Sequence, residues 1–220
     1  MALEHKITAS DCPCWRRSGD LCRSNLRQPP LTENLLVWIS TPHVGSIAGC
    51  AIFDRMSIMS SSVRLRGLIG WLALAFVAAA LGGLGSVNAP DFYSQLVLPE
   101  WAPPAWLFGP VWTLLYLMMG LASWLVWRVA SFDAARLALL LYLVQLALNT
   151  LWSWLFFAWQ NGLLAFIEII FLWLLILATL MTFSRISKTA ALLLVPYLFW
   201  VTFAAALAWN CWQLNPELLG

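Results

Sequence analysis

The chain has 220 residues, of which 62% are hydrophobic and only 10% charged, with a mean hydropathy of +0.80. Ordinary soluble domains are about 45–50% apolar and about 25% charged, so a chain this poor in charge cannot clothe a globular surface and must face lipid. The net charge of +2 is too small to argue for a nucleic-acid partner.

The remaining charges divide the chain. Residues 1–55 hold six of the twelve Lys and Arg, five of the ten Asp and Glu, both histidines (His5 and His43) and four of the five cysteines. Residues 1–58 read as a polar N-terminal extension with no sustained helical or strand period, expected to be disordered, and residues 59–220 as a membrane domain. Cys12-Pro-Cys14 and Cys22 lack the second Cys/His pair that structural zinc sites show, so no metal is expected. The stretch is not a signal peptide, because no apolar segment follows its early charges. An internal translation start at Met56 or Met59 also fits: the Ser-Ser-Ser-Val-Arg-Leu-Arg ending at Arg66 is a short basic opening before an apolar run.

A bilayer-crossing helix needs about 20 mainly apolar residues. Five stretches qualify, at about 67–86, 105–127, 137–159, 163–183 and 190–212. The fold class is therefore an all-α membrane protein, a bundle of five transmembrane helices. The connections are short, so sequential spans are expected to pack as neighbours. Five spans do not divide into two equal inverted halves, which weakens a transporter built on inverted repeats.

Arg64 and Arg66 precede the first span, Arg128 and Arg136 lie between the second and third, and Arg185 and Lys188 between the fourth and fifth. All six basic residues of the membrane domain thus fall on one side. The positive-inside rule places that side, with the N-terminus, in the cytoplasm of a bacterial inner membrane. Another membrane would rename the compartments and leave the sidedness unchanged.

Fifteen tryptophans need sorting. Trp gathers at membrane–water interfaces, where the indole N–H stays wet. That belt accounts for Trp101, Trp106, Trp127, Trp159 and Trp212 near span ends, and for Trp71 and Trp124. Trp112, Trp152, Trp173 and Trp200 sit deeper, where an indole N–H needs a partner in the protein or in a cavity. Two readings stand for each of these four: the wall of a binding chamber, or helix packing.

On the third span Gln145, Asn149 and Ser153 recur at four-residue steps and share one helical face, with Trp152 beside them. On the fourth span Glu168 is a carboxyl inside the apolar stretch, expected to face the bundle interior because an ionisable group in lipid is unfavourable by a few kcal/mol. Either it touches ligand or it holds helices together. Phe108, Trp112 and Tyr116 follow Pro110's helix start at four-residue steps, and Trp200, Phe203, Ala204 and Leu207 form a stripe after Pro196. Aromatic faces on two helices, a polar row on a third and a carboxyl on a fourth suit a flat, largely apolar ligand.

These residues also carry a resemblance. The run Leu98-Pro99-Glu100-Trp101-Ala102-Pro103-Pro104-Ala105-Trp106, leading into Phe108-Gly109-Pro110-Val111-Trp112-Thr113 and Leu115-Tyr116, resembles the first loop and second helix of the TspO/MBR family (tryptophan-rich sensory proteins, translocator proteins and peripheral-type benzodiazepine receptors). Gln145-Leu146, Asn149, Trp152-Ser153 and Phe156-Phe157 resemble its third helix, and Pro196-Tyr197-Leu198-Phe199-Trp200-Val201 with Phe203-Ala204 its fifth. Gly82-Gly83-Leu84-Gly85-Ser86 fits the end of its first helix, and the likeness covers roughly residues 67–215.

The resemblance implies a five-helix bundle, often a homodimer, that binds porphyrins, haem-pathway intermediates and synthetic isoquinoline or benzodiazepine-type ligands. It maps ligand contacts onto Gly83, Tyr93, Trp112, Tyr116, Asn149, Trp152, Ser153, Glu168, Trp200 and Ala204. It requires no obligatory cofactor; a porphyrin or haem-type tetrapyrrole would be the ligand. Two departures stand out. Ala208 replaces the Asn common in relatives, and Trp209-Asn210-Cys211-Trp212-Gln213 lacks the Tyr and basic residue of the animal cholesterol-recognition pattern. Three functions follow: a tetrapyrrole sensor acting in stress or haem-metabolism regulation, a light-dependent porphyrin-degrading enzyme using Trp112 and Trp200, or a tetrapyrrole transporter. The membrane domain has no nucleotide-binding loop, nucleophile–base pair or metal cluster, so binding is favoured over conventional catalysis.

Overall fold

The computed structural model describes residues 61–130 and 132–220, and the expectations for residues 1–58, including the internal start, lie outside the described residues. Five long helices carry the fold: α1 (Ser61–Gly85), α3 (Phe108–Val129), α4 (Phe132–Ser153), α5 (Gly162–Ile186) and α6 (Lys188–Leu214). Two short helices complete it, α2 (Ala89–Gln95) in the first loop and α7 (Pro216–Leu219) at the C-terminus. Each long helix is long and apolar enough to cross a membrane. The protein is an integral, multi-pass membrane protein whose surroundings are a lipid bilayer.

The helices run a few residues past the apolar stretches, because polar ends are wet and a helix continues until a cap stops it. Asn161 caps α5 by accepting the Leu164 N–H at 2.9 Å, and Ser187 caps α6 by accepting the Ala190 N–H at 3.3 Å. At its other end α4 loosens into a π-helical turn, Trp154–Ala158, in which the Trp159 N–H donates to the Trp154 carbonyl at 2.8 Å.

Around the bundle the order is α1, α3, α6, α5, α4 and back to α1. Sequential spans are therefore close neighbours at every connection except one. The exception is α3 and α4, which flank α1 on either side and meet less extensively, although the Tyr116 hydroxyl of α3 reaches Asn149 of α4 at 2.6 Å. One close point of the contact between α3 and α1 is Gly120, where an added Cβ would lie 3.2 Å from the Leu72 Cα and 3.3 Å from the Trp71 carbonyl oxygen. Toward the far end Trp154 donates its indole N–H to the Leu81 carbonyl at 3.0 Å, tying α4 to α1.

Two apolar clusters fill the interior. One, built around Met119, Tyr142, Ile176, Phe183, Leu194 and Tyr197, occupies the half toward the basic end. The other packs Phe92 and Leu96 of the first loop against Leu155, Phe156, Leu207 and Cys211 at the opposite end. The outer faces are apolar too: Leu140, Phe171, Leu192 and Phe199 are exposed. Such a surface would drive aggregation in water and is matched to acyl chains. All six basic residues of the described region lie at one end of the bundle, while Trp101, Trp106 and Trp159 are exposed at the other.

Candidate functional site

At the end of the bundle away from the basic residues, α1, α3, α4 and α6 line a cavity of about 460 Å³, to which the first loop adds Ala89, Pro90 and Tyr93. Small residues on α1 leave the room. Ala79, Gly82 and Gly83 line the cavity, and a Cβ built on Gly83 would meet nothing within 4 Å. From α3 come Phe108, Trp112 and Tyr116, whose four-residue spacing places all three on the wall. α4 supplies Asn149, Trp152 and Ser153, its π-helical turn adds Phe157, and α6 gives Trp200 and Ala204. Tyr93 of α2 closes the wall from the loop side.

The polar groups are few and ordered. Tyr116 donates its hydroxyl to Asn149 Oδ1 at 2.6 Å, and Asn149 Nδ2 donates to the Tyr197 hydroxyl at 2.8 Å. One amide thus joins α3, α4 and α6 behind the cavity, with Tyr197 and Asn149 both buried. Tyr93 donates to the Pro103 carbonyl at 2.9 Å. Burial first, and then the neighbouring Cys211, holds the Tyr93 phenol above its ordinary range, so it stays a neutral donor. The indole nitrogens of Trp152 and Trp200 are buried without a hydrogen-bond partner among the described residues.

The aromatic rings support one another edge to face. Phe108 meets Tyr93 with centroids 5.7 Å apart and Trp200 at 5.9 Å, and Trp112 meets Tyr197 at 6.2 Å. Trp152 stacks on Phe156 at 5.2 Å with planes 10° apart. Such pairs contribute about 0.5–1.5 kcal/mol each beyond burial and hold the rings in place. The result is a largely apolar, aromatic-lined chamber with a hydrogen-bonding back wall.

Nine of the ten residues expected to touch ligand therefore line one cavity; Glu168 does not. The physical reason is the helix order: α5 stands behind α4 and α6, and the cavity is walled by the other four long helices. Glu168 is buried, as an acid in a span must be, and lines an apolar groove between α4 and α5 with Leu148, Leu155 and Phe171. Both its oxygens lack a hydrogen-bond partner among the described residues. Gln145, first of the polar row, is fully buried one turn below the cavity. Trp173 packs between helices, donating to the Thr202 hydroxyl at 2.8 Å, so of its two readings the structure selects packing. Ala208 lies in the apolar cluster beneath the first loop and off the cavity wall, so the missing Asn falls outside the chamber. Sequence reading missed the contributions of Ala79, Ala89 and Pro90, which carry no chemical signature and are recruited by backbone position alone.

The sequence pattern of the TspO/MBR family matches residues 71–213. The tryptophan-rich protein TspO of Chlorobaculum tepidum is 43% identical over 145 residues, covering 62% of this chain and 90% of the relative. Protein CrtK of Rhodobacter capsulatus is 37% identical over 147 residues, 66% of this chain and 92% of the relative. The translocator protein of Ovis aries is 40% identical over 126 residues, 56% of this chain and 75% of the relative. The match begins within α1 and ends one residue short of the end of α6. With this match and the five spanning helices together, the chain belongs to the TspO/MBR family.

Proposed function

We propose that the cavity binds porphyrins and related tetrapyrroles drawn from the membrane, and that the protein acts as a sensor in tetrapyrrole metabolism or stress response. The observation that carries this reading is the convergence of three indoles, Trp112, Trp152 and Trp200, with the Tyr116–Asn149 pair on one cavity. Its volume falls in the range of about 300–1,000 Å³ usual for small-molecule sites, and apolar walls with few placed polar groups are what such sites share. A planar macrocycle gains ring contacts on several sides there, and its acceptor groups find the unpartnered indole N–H groups. The names of relatives, which include tryptophan-rich sensory protein and translocator protein, support sensing or movement of such a ligand.

The test is titration of the purified full chain with protoporphyrin IX, followed by tryptophan quenching and porphyrin absorbance. Saturable change in both, lost in Trp152→Leu, supports the reading. A linear, non-saturating response equal to that of detergent alone contradicts it.

A second reading has its own observation: Trp112 and Trp200, electron-rich indoles, both face the cavity that would hold the excited porphyrin. Light-driven oxidation by dioxygen would then yield a bilin-like product. It predicts loss of that product in Trp112→Phe or Trp200→Phe while binding persists. Product formation unchanged in both variants removes this reading.

A further inference from the structure

The first loop contributes Ala89, Pro90 and Tyr93 to the cavity wall, and just beyond them its backbone is bonded to a side chain 118 residues away in sequence. The Val97 N–H donates to Asn215 Oδ1 at 2.7 Å, and Asn215 Nδ2 donates back to the Val97 carbonyl at 3.0 Å. One side-chain amide thereby satisfies both backbone groups of Val97, as a neighbouring strand would. The same Nδ2 donates to the Cys211 carbonyl at 2.7 Å, which fixes the amide to the last turn of α6. Exchanging the amide's oxygen and nitrogen would lose all three bonds, so its orientation is determined.

Asn215 is itself held. It is 5% exposed, and its carbonyl accepts the N–H groups of Leu218 and Leu219 at 3.1 and 3.0 Å, so α7 is built on it. Leu96, Leu207, Cys211 and Leu219 on the flanking segments pack in one apolar cluster, and of the three bonds the one to Cys211 is buried while the two to Val97 are part-buried. The loop segment so fastened leads directly into cavity wall. Tyr93 is four residues before Val97, and α2, which supplies Ala89, Pro90 and Tyr93 to the lining, ends at Gln95.

We infer that Asn215 is a positioning residue that latches the first loop over the cavity and sets the rate at which ligand enters and leaves. It touches no ligand. A hydrogen-bonded latch on backbone has two discrete states, bonded and released, and releasing it exposes the cavity from the loop side without disturbing Trp112, Trp152 or Trp200. Affinity is then set by the chamber and kinetics by the latch.

The inference rests on the cavity being the ligand site, so the test has one arm that needs no natural ligand. In the full chain, Asn215→Ala and Asn215→Asp are compared with wild type by hydrogen exchange at Leu96 and Val97. A second measurement follows thiol labelling at the cavity wall in an Ala204→Cys background, read peptide by peptide so that the natural cysteines do not interfere. The expected result is faster exchange at Val97, unchanged exchange in α3 to α6, and labelling about tenfold faster in Asn215→Ala. Asn215→Asp, which keeps the acceptor for the Val97 N–H and loses both donors, falls between.

Stopped-flow mixing with protoporphyrin IX forms the other arm. Association and dissociation should both rise about tenfold while Kd moves less than about threefold. Failure of protoporphyrin to bind at all sinks the tetrapyrrole reading and leaves the labelling arm to decide the latch. Faster exchange at Val97 with unchanged labelling, or unchanged exchange at Val97, overturns the latch. A Kd weakened in step with loss of helix protection would make Asn215 a merely structural residue and overturns it too.

Discussion

Asn149 hydrogen-bonds the hydroxyls of two tyrosines on different helices, and that makes it the most consequential polar residue of the chamber. Asn149→Leu keeps the size of the side chain and leaves the Tyr116 and Tyr197 hydroxyls without this shared partner. Such a change costs about 1–3 kcal/mol, and thermal unfolding in detergent should show a lowered midpoint. An unchanged midpoint would mean that the pair does not contribute. Glu168 makes the opposite prediction. Because it stands on α5, away from the cavity, Glu168→Gln and Glu168→Leu should leave protoporphyrin affinity within about threefold of wild type, whereas Trp152→Leu should weaken it more than about tenfold. A large loss of affinity in Glu168→Gln would show that the carboxyl reaches the ligand after all. At this scale the sequence says much about burial and less about company. The four-residue steps of Asn149 and Ser153, and of Phe108, Trp112 and Tyr116, are enough to put them on one wall, since a helix face is a local property. That Glu168 turns inward is legible from the unfavourable energy of an acid in lipid. Which interior space it faces depends on the order of helices around the ring, which no local spacing encodes.

Helices pack here without the help of water, since lipid tails are as apolar as Leu, so close backbone approach matters more than apolar area. At Gly120 the α1 backbone lies so near α3 that an added Cβ would meet the Leu72 Cα at 3.2 Å and the Trp71 carbonyl oxygen at 3.3 Å. Gly120→Val must push the two apart, at about 1–3 kcal/mol, and should lower the unfolding midpoint and widen the chamber mouth, raising the off-rate of bound porphyrin. A variant as stable as wild type would mean that α1 yields at this point. The five spans were legible because length and hydropathy alone identify a crossing helix. Three features were not. α2 has seven residues, too few for a period to declare itself, and owes its place to Phe92 and Leu96 packing beneath the loop. The π-helical turn at Trp154–Ala158 is a backbone choice that Trp154 and Phe157 favour only through their tertiary contacts. The looser contact of α3 with α4 follows from α6 taking the place beside α3, a contact made between residues far apart in sequence.

For the whole molecule, composition settles the solvent and charge asymmetry suggests the orientation. With Arg64, Arg66, Arg128, Arg136, Arg185 and Lys188 at one end, the first loop and the C-terminal helix belong to the other face of the membrane. Ser94 and Ser184 are exposed at opposite ends, so an impermeant thiol reagent should label Ser94→Cys and Ser184→Cys from opposite sides of intact vesicles. Labelling of both from one side would contradict the arrangement of the five helices. The cavity at the loop end, with α2 in its wall and the Tyr116–Asn149–Tyr197 bonds behind it, joins all three scales, and its proposed use as a ligand chamber is the claim on which the function turns. The structure of the complex with protoporphyrin IX tests it most directly. The macrocycle should lie among Trp112, Trp152 and Trp200 beneath the first loop; a macrocycle seated on the lipid-facing surface, with those three indoles untouched, would contradict it.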